Sequence, residues 1–145
     1  MMTHTDAAQS KWREIFERQQ LANTERWLTL LVAEDNPSNM VIQEYDNLLR
    51  ALEVSLQKAD TFDLAYRLIE QLFSIVFGYG DWDRWLVYLE EAVCLSQKLN
   101  RDSEEAALLS YLARIYLYKS ELEQARVLYS QCLQKYKLLN DKAKY

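Results

Sequence analysis

Of the 145 residues, two are glycine, one is proline, two are cysteine and one is histidine. Average usage would supply roughly 17 glycines and prolines together. With Gly78 and Gly80 the only glycines, neither a glycine-rich dinucleotide fingerprint nor a phosphate-binding loop can be written in the chain. A meander of short strands is disfavoured as well, because its turns need residues that tolerate positive φ. The lone histidine, His4, excludes histidine-based triads and multi-histidine metal sites within the chain. Cys94 and Cys132 form no C-x-x-C pair, which argues against a zinc knuckle or a thioredoxin-like motif. Both are expected to be small core residues of a reduced, cytoplasmic protein. No cofactor and no metal is expected.

A strongly basic balance is missing too. Seventeen basic against 22 acidic residues leave a net charge of −5, so no general attraction to nucleic acid or anionic lipid follows. The N-terminus shows no apolar signal-peptide region, and no apolar run approaches the ~20 residues of a membrane span. What is present is 50% hydrophobic and 27% charged residues, enough at this length for one ordinary folded domain over 1–145.

Apolar residues recur at three- and four-residue spacings almost from end to end, which predicts successive amphipathic helices. The first segment, from about Asp6 to Glu34, is one long helix or two, since Asn23-Thr24 could cap a second. Asn36 caps the next helix, with Pro37 in its first turn and Val41, Tyr45, Leu48, Leu49, Leu52 and Leu56 on one stripe. Asp60-Thr61 opens a helix that Gly78-Tyr79-Gly80 ends by left-handed backbone. Asp81 leads into another, and Asp102/Glu105 and Ser120/Glu123 have capping-box spacing before the last two.

Sliding the sequence against itself finds a 40-residue repeat. Leu112, Ala113, Tyr116, Ser120, Leu122, Ala125, Tyr129 and Cys132 fall on Leu72, Phe73, Val76, Gly80, Trp82, Trp85, Leu89 and Ala92. A further step back places Tyr45, Leu49 and Leu52 on Trp85, Leu89 and Ala92. The chain therefore reads as three helical hairpins at about 6–58, 61–99 and 102–139, with flexible ends at 1–5 and 140–145. Small side chains at Ala113, Ala125 and Cys132 let the last hairpin close tightly, whereas Phe73 and Trp85 hold the middle one wider.

These residues resemble the tetratricopeptide repeat: Leu112-Ala113 fits the Leu-Gly pair of the first helix, Tyr116 its aromatic, and Ala125-x-x-x-Tyr129 the Ala-x-x-x-Phe of the second. The resemblance rests mainly on Gly80 to Leu139 and is to the long-repeat variety. It implies an all-α fold of six or seven helices, with antiparallel hairpins stacked as a right-handed superhelix. It also implies a non-enzymatic interaction module that binds a peptide or helix of another protein. The long variety is similar to regulatory segments of larger signalling NTPases or transcriptional regulators, which is the first alternative. A small helical enzyme using carboxylates is the second, and it would need inward-facing Glu or Asp on the core stripes.

In such arrays the first helix of each hairpin lines a groove. Carried onto this chain, that surface is Arg67, Glu70, Gln71, Ser74 and Phe77, followed by Ser110, Tyr111, Arg114, Leu117 and Tyr118. Two arginines there could take carboxylates and three aromatics could serve as anchors; an ordinary polar face is the other reading of the same residues. The last helix carries Val127, Leu133, Tyr136 and Leu138 beyond its repeat core, more than one face can hide, which points to another subunit or further repeats. Trp12 and Trp27 either cap the first hairpin or offer a contact surface. Glu90-Glu91 and Glu104-Glu105 are expected on solvated faces, and Lys135, Lys137, Lys142 and Lys144 in support of the final helix dipole and of solubility.

Overall fold

The computed structural model describes residues 4–33 and 37–143, and the cap expected at Asn36 lies outside them. Among the described residues there are six α-helices and no strand: α1 (His4–Ala33), α2 (Ser38–Ser55), α3 (Phe62–Val76), α4 (Trp82–Lys98), α5 (Asp102–Tyr118) and α6 (Leu122–Ala143). The all-α expectation holds. None of these helices is long and apolar enough to cross a membrane. The ends expected to be flexible are helical from His4 and up to Ala143; residues 1–3 and 144–145 lie outside the described chain.

The first segment is one helix of 30 residues. Thr24 caps nothing. Its side chain is buried, and its hydroxyl donates to the Gln20 carbonyl one turn back at 2.9 Å, a bond that lets a threonine sit inside a helix. Helix α2 is interrupted at Glu44, whose φ and ψ are −111° and 19°.

The turns explain how the chain reverses with so little glycine. Gly80 takes left-handed backbone at φ 79°, and so do Asn100 at 55° and Ser120 at 63°. After α4, Asn100 N–H donates to Gln97 O and Arg101 N–H to Ser96 O; after α5, Ser120 N–H donates to Leu117 O and Glu121 N–H to Tyr116 O. Each is the paired bonding that closes a helix on a left-handed residue. The two capping boxes are therefore corrected. Asp102 already lies within α5, Arg101 occupies the cap position without a side-chain cap bond, and Ser120 terminates α5 rather than opening α6.

Residues 40 apart take equivalent places. Leu72 and Leu112, Phe73 and Ala113, Trp85 and Ala125, and Ala92 and Cys132 are all buried. Tyr129 and Leu122 depart from the register, because both stand exposed on α6. The small residues have the expected effect: α5 and α6 lie close along much of their length, while α3 and α4 approach closely at few positions. Cys132 packs so near α5 that its Sγ donates to the Ala106 carbonyl at 3.2 Å. Cys94, expected in the core, is exposed.

One charge is misplaced by the sequence reading. Glu105 is not solvated but 3% exposed, and its carboxylate meets Lys135 Nζ at 2.7 Å. The same ammonium lies 3.4 Å from Asp102, so Lys135, two turns before the end of α6, ties that helix to the start of α5 instead of serving the helix dipole. These carboxylates raise its pKa above the ordinary lysine value. Glu90 and Glu91 are exposed as expected.

Candidate interaction site

Helices α3 and α5 run side by side in the same direction, and the residues between them are aromatic. Phe73 lies 4.5 Å from Tyr111 between ring centroids, and Phe77 meets Tyr118 edge to face at 4.5 Å. Trp82, at the start of α4, reaches Tyr118 at 5.9 Å while its indole N–H donates to the Phe77 carbonyl at 3.0 Å. Edge-to-face and offset geometry of this kind adds to the burial of the rings. The Arg114 guanidinium sits over both Phe73 and Phe77, at 5.7 and 5.8 Å from their centroids. Arg114 is an exposed residue, so the cation rests on the ring faces at the surface.

Of the ten residues carried over as a groove, the structure brings Phe77, Tyr111, Arg114 and Tyr118 together. Phe77 and Tyr111 are half-buried and packed against the core, so they act first as mortar between α3 and α5. Tyr118 is 59% exposed and is the aromatic of this group that offers most surface. Glu70 lies toward the other end of α3 beside Tyr66 and Tyr111; burial first, then the Glu70 charge, pushes both hydroxyls above the usual tyrosine range. Gln71 and Ser74 are exposed on α3. Ser110 spends its hydroxyl on the Ala107 carbonyl of its own helix at 2.7 Å. Arg67 stands apart, lining a cavity between α1 and α3 with Leu28, Thr29, Val32 and Leu64. Leu117 is exposed.

The four residues singled out on the last helix, Val127, Leu133, Tyr136 and Leu138, are all exposed. At 100° per residue they fall on two flanks. Leu133 and Tyr136 share one with Leu122 and Tyr129; Val127 and Leu138 share the other. Val127, on the second flank, borders a groove of about 550 Å³ between α4 and α6 over α5. The sequence reading missed this groove because its walls come from three helices at unrelated spacings. Phe73, expected to hold the middle hairpin, and Trp82, placed as a register position, both reach the α3–α5 aromatic cluster. Trp12 is 71% exposed, and Trp27 packs half-buried on the core.

A second polar network joins α2 to α4. Tyr45 donates to Asp81 Oδ2 at 2.7 Å and accepts from Trp85 Nε1 at 3.0 Å. Burial, then the Asp81 hydrogen bond, pushes the Tyr45 hydroxyl up to about 12. Tyr88 donates to Glu53 nearby. Tyr45 and Trp85 are themselves one repeat step apart, so this network links equivalent positions of consecutive hairpins. Comparison with models of known protein families, with curated proteins and with solved structures finds no match to this chain.

Proposed function

We propose that the chain is a tetratricopeptide-like helical repeat that works without catalysis, as a cytoplasmic module holding a peptide or helix of another protein against the α3–α5 face. The 40-residue register supports the family reading: positions 72 and 112, 85 and 125, and 92 and 132 are buried in pairs, and left-handed residues fall at 80 and 120. The observation that carries the function is Arg114. An arginine pinned over two aromatic rings, beside a largely exposed tyrosine, is preorganised for a carboxylate and an apolar side chain together. The flanks of α6 suit a second subunit or a further repeat, which also fits a regulatory segment of a larger protein.

The test is a double substitution, Arg114→Glu with Tyr118→Ala. Both side chains are exposed, so helical circular dichroism stays at the wild-type level, while loss of the Tyr118 and Arg114 ring contacts lowers the unfolding midpoint modestly. Partners that bind this face, identified by affinity purification and then measured as pure components, lose at least about tenfold in affinity. Unchanged binding of those purified partners removes the α3–α5 face as the site.

A further inference from the structure

We propose that the amino-terminal half of α1 from one copy of this chain docks in the groove between α4 and α6 of a second copy. Every side chain from Asp6 to Phe16 is exposed. At 100° per residue, Trp12, Ile15 and Phe16 share one stripe of this half-helix. Lys11 and Arg18 flank the stripe on one side and Arg13 on the other, while Glu14 and Glu17 lie on the far side. Glu17 pairs with Lys58 at 2.6 Å, and Thr24, Leu28 and Leu31 bury the later turns of the same helix. The centre of the stripe therefore points about a third of a turn away from the side by which α1 is fixed to its own body, with Phe16 at the rim of a cavity it shares with Val54 and Lys58. Apolar residues at i, i+3 and i+4 are what a helix uses to lie in an apolar groove.

The groove fits that helix in shape and in sign. Val93 and Cys94 of α4 form one wall, Val127 and Leu128 of α6 the other, and Leu109 and Leu112 of α5 the floor. Lining residues run from Glu90 to Gln97 on α4 and from Glu123 to Gln131 on α6. That is about two helical turns on each side, room for the Trp12–Phe16 stretch. Each bank carries a glutamate: Glu90 on α4 accepts from the Tyr116 hydroxyl at 3.4 Å, and Glu123 on α6 pairs with Arg126 at 2.9 Å; the lining residues themselves include no lysine or arginine. A helix with basic residues along both edges of its apolar stripe meets Glu90 on one bank and competes with Arg126 for Glu123 on the other, which selects partner and orientation. Helix α1 is fixed against α2 and α3, whereas the groove belongs to α4, α5 and α6, so a second copy supplies the match. Where two copies exchange arms the contact is reciprocal, arm to groove and groove to arm, and closes as a two-fold dimer. It uses a surface separate from the α3–α5 face and stands whether or not that face binds a partner.

Sedimentation velocity over a range of concentrations, with the full chain, tests this. Wild type is expected to associate, and Trp12→Ala with Phe16→Ala to weaken association by at least about tenfold, with the unfolding midpoint retained. Val127→Glu, on the groove wall, has the same effect, while Leu133→Glu, on the other flank of α6, leaves association intact. Cys94 offers a direct probe, being exposed in the groove. A chain carrying Ile15→Cys and Cys94→Ser, mixed with wild type and treated with a short bis-maleimide, should give a product of twice the mass that joins position 15 of one copy to Cys94 of the other. Any one of four results overturns the proposal: a monomer at all concentrations, association indifferent to the Trp12/Phe16 substitutions, association abolished by Leu133→Glu but not by Val127→Glu, or a bridge at monomer mass in a chain carrying Ile15→Cys alone.

Discussion

The Lys135–Glu105 pair gives the sharpest test of the packing. The carboxylate is 3% exposed and the Lys135 side chain 33% exposed, with 2.7 Å between Nζ and Oε2. At an effective dielectric of ~20 the attraction over that distance is about 6 kcal/mol, most of it cancelled by taking the carboxylate out of water. Removing one partner of a fully buried pair costs roughly 3–5 kcal/mol. Water still reaches the lysine, so the expectation for Lys135→Met is smaller, about 2 kcal/mol. Glu105→Gln keeps the shape and leaves Lys135 with Asp102 and solvent, and should cost about 1 kcal/mol. The double variant Glu105→Leu/Lys135→Met should return to within about 1 kcal/mol of wild type, because neither side is left with an unpaired charge. Urea unfolding of these proteins together with Glu105→Leu alone, with the slope checked for constancy, closes the cycle and gives the coupling. A Lys135→Met cost below about 0.5 kcal/mol, the usual scale of a surface substitution, would mean that the carboxylate is hydrated and the reasoning is wrong.

Further tests address the turns and the tyrosines. Ser120→Gly should stabilise the protein by about 0.5–1 kcal/mol, since the left-handed backbone at φ 63° burdens any residue with a Cβ. Gly80→Ala, at φ 79°, should destabilise it by about 1 kcal/mol although no atom lies within 4 Å of the added carbon; thermal melts that rank the two the other way would count against the turn assignment. Tyr45→Phe strips the Trp85 indole N–H of its acceptor at 3.0 Å, and chemical denaturation should register about 1–2 kcal/mol lost. Tyr45 titrates near 12 when folded against 10.0 ordinarily, so the unfolded chain loses this proton first. Stability from this group is complete below pH 10 and falls as pH rises towards 12, and Lys135, raised above 10.5, acts in the same direction. Melting temperatures measured through that range, with tyrosinate absorbance followed in parallel, check the sign; a melting temperature that climbs would refute it.

Helix number and the hairpin register were readable because both depend on periodicity and side-chain size. The pairs 85/125 and 92/132 show this, since burial every three or four residues leaves a pattern whatever the partner is. Glu105 was not readable in the same way. A glutamate in a first turn looks like a cap until α6 brings Lys135 across from 30 residues away, and nothing local distinguishes the two outcomes. Ser120 failed for a related reason: one serine can open a helix or close the preceding one, and the backbone bonds from Ser120 and Glu121 to α5 decide between them. Cys94 and Tyr129 lie on apolar-looking stripes but on flanks that neighbouring helices leave uncovered. The α3–α5 surface was legible as a set of exposed positions. That Phe77 and Tyr111 serve packing first, while Arg114 is held over rings, required the spacing of two helices that are not consecutive in sequence.

Helix α5 carries both candidate surfaces, and its geometry decides whether they interfere. Tyr111, Arg114 and Tyr118 lie along one side, Leu109, Leu112 and Tyr116 along nearly the opposite one, by the 100° step of the helix. The helix between them is fixed at its start by Glu105 and Lys135 and at its end by the closed turn on Ser120. A rigid element with two faces has no second arrangement through which binding at one could bias the other. Free energies for substitutions on the two faces should accordingly add to within about 0.5 kcal/mol. The Arg114→Glu/Tyr118→Ala protein should sediment as wild type does, and Val127→Glu should bind a partner of the α3–α5 face with unchanged affinity. Coupling beyond about 1 kcal/mol in either direction would require α5 to move, and hydrogen exchange along α5 would then have to change on binding.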